Sequence, residues 1–120
     1  MLLRASGAIT GNTFDLQVIT EGANAAPSRV AHGETLVAFA EAVVGEDESA
    51  LAVARQRVLD ELGPEALVDA AAIASNFERM VRIADSTGIP LDDVVYERTA
   101  DERKELHLER FGSAANTPKA

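Results

Sequence analysis

From Glu34 onward the chain repeats apolar residues at spacings of three and four, the period of an α-helix with one buried face. Leu36, Phe39, Ala40 and Val43 form the first such stripe and predict a helix over 34 to 44, ended by Gly45 in a left-handed turn. Ser49 is a good N-cap for a second helix over 49 to 62, with Leu51, Ala54, Val58 and Leu62 on one face and Arg55, Arg57, Asp60 and Glu61 on the other. Gly63 closes it. The strongest repeat begins at Pro64, which suits a first helical position because its missing N–H has no helical partner to lose. Leu67, Ala71, Ala74, Phe77, Val81 and Ala84, widened by Ala70, Ile73 and Met80, predict a third helix over 64 to 87. Gly88 and Pro90 set its stop, and Phe77, Met80, Val81 and Ala84 are expected to face inward.

Either side of these helices the pattern weakens. Phe14, Leu16 and Val18 alternate with Asp15 and Gln17, the period of a half-buried strand, and Gly11-Asn12 fits a hairpin turn. Two strands alone are marginal, so this segment reads as a β-hairpin or an extended arm. "TEGANAAPSRVAHG" then reads as a linker. Thr99 and Glu102 match the spacing of a capping box for a fourth helix ending near Arg110, with only Leu106, Leu108 and Phe111 to bury. "SAANTPKA" offers nothing to bury and is expected to be disordered. The fold expected is mainly α: an arm or hairpin with linker over 1–33, a small helical bundle over 34–111, and a tail over 112–120.

Composition sharpens this reading. With no Trp, one Tyr and four Phe, the core must be built from Leu, Val, Ile and Ala, and Ala lets helix backbones approach closely within or between chains. The net charge is -9, and nearly all the excess acid lies between Glu34 and Glu109. Such a field repels phosphate backbones and anionic lipid, so neither nucleic acid nor a membrane surface is an expected partner. The absence of Cys removes disulfides, thiolate metal sites and any thiol nucleophile. No apolar run reaches the roughly 18 residues of a membrane span, and "MLL" before Arg4 lacks the apolar core of a signal peptide, so the expected location is cytoplasmic.

"LGPEALVDAAAIASNFERMVRIADSTGIPLD" resembles the closing helices of the alkylhydroperoxidase-like, carboxymuconolactone-decarboxylase-like family. The resemblance is carried by Phe77, Met80, Arg82, Ile83, Ala84, Asp85, Gly88, Ile89 and Pro90, and "ETLVAFAEAVVG" and "LDELG" extend it over residues 34 to 92. It implies an all-helical fold that associates into oligomers, commonly trimers or their multiples. In the family's peroxidases the active site is cysteine-based and lies on an earlier helix. No such motif stands in this sequence, so no peroxidatic residue carries over. The decarboxylase members do not depend on cysteine, so the resemblance leaves open a cysteine-independent decarboxylase- or isomerase-type enzyme.

Three groups of residues are candidates for chemistry. Arg82 has Glu78 four residues before it and Asp85 three after, which is either an intrahelical ladder on a wet face or an arginine clamping a carboxylate at a subunit interface. His32 and His107 are the only imidazoles. His107 has Arg103 and Arg110 on its own helical face, a poor setting for a metal ion, and is expected in solvent; His32, in a loop beside Glu34, and Arg82 are the candidates for catalysis. Glu46, Asp47 and Glu48 lack the alternating ligands of a calcium loop and instead place negative charge at a helix N-terminus. No cofactor or metal is expected. The partners expected are further copies of the chain and a small molecule held between subunits, at Arg82, Asp85 and Glu78.

Overall fold

The computed structural model describes residues 2–13, 16–21 and 30–117. Its helices in chain order are α1 (Leu2–Thr10), α2 (Gln17–Glu21), α3 (Gly33–Val44), α4 (Glu48–Leu62), α5 (Pro64–Thr87), α6 (Asp93–Arg98) and α7 (Ala100–Glu105), followed by two 3₁₀ turns. The protein is mainly helical, and among the described residues there is no strand. α3, α4 and α5 lie where the apolar periodicity places them, and of the five expected end residues Gly63, Pro64 and Gly88 hold their roles while Gly45 and Ser49 do not. Pro64 starts α5 directly after Gly63. Gly88 ends α5 at φ 64°, and its N–H reaches the carbonyls of Ala84 and Asp85. Gly45 instead closes α3 in an extended conformation at φ -80°. The N-cap of α4 is Asp47 rather than Ser49: its carboxylate accepts from the N–H groups of Ser49 and Ala50 at 2.8 and 3.1 Å. An acid there satisfies two orphan amides and meets the positive end of the helix dipole together.

α3, α4 and α5 pack against one another as a three-helix unit. Its centre is Phe39, Ala54 and Val58, ringed by Ala42, Val43, Leu51, Leu62, Leu67, Ala70 and Ala71. All the α5 residues in that ring lie in its first third. At a rise of 1.5 Å per residue α5 spans about 36 Å, against about 18 Å for α3 and about 22 Å for α4, so its last turns extend past both neighbours. No described apolar residue of α5 beyond Ala71 packs against the bundle centre. Phe77, Met80 and Val81, expected inward, are 61%, 51% and 50% exposed, and only Ala84 is half-buried. Their spacing was a true helical stripe; what it lacks within this chain is a surface to cover it. The radius of gyration, 15.8 Å, exceeds the roughly 13.6 Å of a compact chain of this length, as an overhanging helix requires.

The first segment does not form the expected hairpin. Gly11, at φ 73°, ends α1, and the Asn12 N–H donates to the Gly7 carbonyl at 2.9 Å, the long bond of a Schellman cap. A hairpin turn and this cap both require positive φ, so Gly-Asn suits either. Leu16 is 1% exposed, whereas Phe14, Asp15 and most of the linker, 22–29, lie outside the described residues. At the other end the fourth helix, expected from Thr99 to near Arg110, starts after Thr99 as α7 but ends at Glu105, and α6 precedes it. The Thr99 hydroxyl donates back to the Val95 carbonyl at 2.7 Å instead of capping, which completes α6 and separates it from α7. His107, in solvent as expected, turns the chain at φ 51° into 3₁₀ turns over Leu108–Arg110 and Gly112–Asn116. The second of these occupies a segment expected to be disordered. It is tied back where the Leu91 N–H donates to the Thr117 hydroxyl at 2.9 Å; residues 118–120 lie outside the description.

Candidate functional site

His32 precedes α3 in a left-handed conformation at φ 55°, which brings its ring toward the last turn of α4. Thr35, in the first turn of α3, is 2% exposed, and its hydroxyl donates to Glu61 Oε2 at 2.6 Å. Arg57 Nε donates to the other oxygen, Oε1, at 2.8 Å, and His32 Nδ1 stands 3.6 Å from Oε2. The Thr35 hydrogen bond, followed by that of Arg57, holds the Glu61 carboxyl below the usual carboxylate range. Its carboxylate in turn raises the Arg57 guanidinium. This is not a nucleophile with its base. The hydroxyl gives its proton to the carboxylate rather than to the imidazole, and it is closed to solvent, so the relay of a hydrolytic triad is broken. The cluster is a polar latch between α3 and α4. Of its members the sequence singles out only His32; Arg57 and Glu61 are visible as a pair four apart, but Thr35 joins Glu61 across 26 positions and is found only by folding.

The second candidate divides. Arg82 Nε donates to Glu78 Oε1 at 2.6 Å, with 76% of the Arg82 side chain exposed. Arg79 Nη2 donates to Asn76 Oδ1 at 2.9 Å. The ladder on a wet face is therefore what the isolated chain presents, and Asp85 does not join it. Asp85 instead borders a groove formed with α6, α7 and the 3₁₀ turns. Arg82 lies about 140° round the helix from Phe77, on the side away from the exposed apolar stripe.

That groove, about 960 Å³, lies between the end of α5, α6, α7 and the two 3₁₀ turns. Val95, Tyr96, Leu106, Leu108 and Phe111 give it apolar walls. Arg103 also lines it, its guanidinium stacked 3.6 Å above the Tyr96 ring, and its Nη1 is shielded from solvent without a hydrogen-bond partner. Arg110, by contrast, is engaged: its Nη2 donates to the Thr20 carbonyl at 3.1 Å and its guanidinium rests 5.0 Å over Phe111. Neither His32 nor Arg82 reaches the groove. Sequence reasoning noted Arg103 only as a neighbour of His107. The available signal was Tyr96 seven residues before it, which is two turns on one helix and becomes a stacking pair only because the chain breaks at Thr99.

Among the described residues no three His, Asp or Glu side chains converge as metal ligands would, and no helix is long and apolar enough to cross a membrane. Comparison with protein-family models, with characterised proteins and with solved structures gives no match.

Proposed function

We propose that this chain is a small helical protein that assembles with copies of itself through the far half of α5, a non-peroxidatic relative of the alkylhydroperoxidase-like family with a binding rather than a catalytic role. The observation that carries the proposal is the overhang. α5 has 24 residues and none is buried, and in its far half Phe77, Met80, Val81 and Ile83 are 50% to 61% exposed. A stripe of that kind on a chain with so slender a core fits a helix whose partner comes from another subunit. The resemblance over residues 34 to 92 implies the same thing independently, since the family associates through its helices.

The binding role is favoured over a decarboxylase- or isomerase-type enzyme by the placement of the only candidates such an enzyme would use. His32, in the turn before α3, and Arg82, on α5, are 47% and 76% exposed and line neither cavity. Sedimentation velocity tests the assembly. The wild-type chain is expected to sediment as a dimer or larger at about 100 µM, and Phe77→Asp with Met80→Lys to sediment as a folded monomer. A wild-type monomer at that concentration, or an unchanged oligomer in the double variant, overturns it.

A further inference from the structure

We infer that the groove between α5, α6 and α7 binds an amphipathic monoanion, a small molecule with an apolar body and one carboxylate, and that Arg103 is the residue that takes the carboxylate. A buried cationic donor without a partner is costly, because water has been removed and nothing has replaced it. Arg103 Nη1 is such a donor. Its plane is fixed against the Tyr96 ring at 3.6 Å, and no carboxylate among the described residues lies within ion-pairing distance of it. A guanidinium held flat with an unpartnered nitrogen presents a charged donor to a carboxylate. Around it the walls are aliphatic and aromatic, and the volume of about 960 Å³ lies at the upper end of small-molecule sites. The rest of the lining sets the charge limit. Asp85 and Glu102 also border the groove and one Arg110 nitrogen already donates to the Thr20 carbonyl, so a second anionic group on the ligand would face these two carboxylates.

This site lies within one chain and takes only Ala84 from the α5 stripe, none of Phe77, Met80 and Val81 lining it, so it does not depend on the assembly proposed above. Decanoate, decanol and decanedioate are suitable probes, followed by amide chemical shifts on the full chain. Decanoate is expected to bind with a sub-millimolar Kd and to shift Val95, Leu106 and Phe111, with decanol and decanedioate at least tenfold weaker. Arg103→Met is expected to abolish the preference for decanoate over decanol. Without ligand it should melt higher than wild type, because the unpartnered charge is gone. Tyr96→Leu, which removes the platform but keeps the charge, should weaken decanoate several-fold. Equal affinity for decanoate and decanol, a preference that survives Arg103→Met, shifts confined to Phe77 and Met80, or no binding of decanoate up to its solubility would each overturn the inference. So would self-association that shifts Val95, Leu106 and Phe111 as protein concentration rises without decanoate, since a second copy would then fill the groove.

Discussion

Phe39 and Phe77 offer a matched pair, the same side chain placed inside and outside the bundle. Phe39 is 3% exposed and touches the Ala54 and Val58 centre, so Phe39→Ala loses both the transfer of a ring from water and the packing around the cavity left behind, about 3–5 kcal/mol. With a urea slope of about 2 kcal/mol per molar, the unfolding midpoint should fall by roughly 2 M. In a core this small that removes much of the total stability. Phe77 is 61% exposed, and in a dissociated chain Phe77→Ala should cost no more than about 0.5 kcal/mol, the range of surface substitutions. Urea unfolding followed by far-UV circular dichroism at two protein concentrations about a hundredfold apart separates the two sites. Phe39→Ala is expected to be destabilised equally at both, while the wild type gains stability with concentration and Phe77→Ala gains less. A loss below about 1.5 kcal/mol for Phe39→Ala would refute the assignment of the core. A large loss for Phe77→Ala in the dilute sample would refute the overhang.

Three further outcomes follow from the geometry. Because the Glu61 carboxyl is held low by Thr35 and Arg57, its contribution to stability is present above the unfolded value of about 4.3 and is lost as pH falls through the lowered folded value. Wild type should therefore exceed Glu61→Gln in urea midpoint at pH 7 and converge on it near pH 3; a gap that persists in acid would contradict the latch. Gly88→Ala places a Cβ at φ 64° with only an ordinary contact to Asn116 at 3.8 Å, so its penalty is the left-handed backbone alone, about 1–2 kcal/mol by thermal melting, and a neutral result would remove the cap. Arg82→Ala gives up one exposed pair with Glu78, about 0.3–0.5 kcal/mol. Oligomer size measured alongside by light scattering is expected to stay constant, and a fall would place Arg82 in the interface instead.

The chain itself determined the three central helices, because their signals are local: an apolar residue every third or fourth position, Pro64 at a helix start, glycines at the ends. Gly88 in particular was legible because an αL stop followed by Ile89-Pro90 allows little else. Where one local signal serves two structures the sequence was ambiguous, and Gly11-Asn12 became a helix cap rather than a hairpin turn for want of a second strand to pair. Arg82 was chosen for the carboxylates on its own helix, which the pattern displays, and Arg103 was passed over because its partner ring belongs to another helix. What only the tertiary structure decided is which face of each helix is covered. A stripe's period is set by the backbone, but its burial is set by the length and position of its neighbours, and no described apolar residue of α5 beyond Ala71 packs against the bundle centre. The same holds for Thr35 with Glu61 and for Tyr96 with Arg103, contacts made by the angles at which helices meet and written in no spacing along the chain.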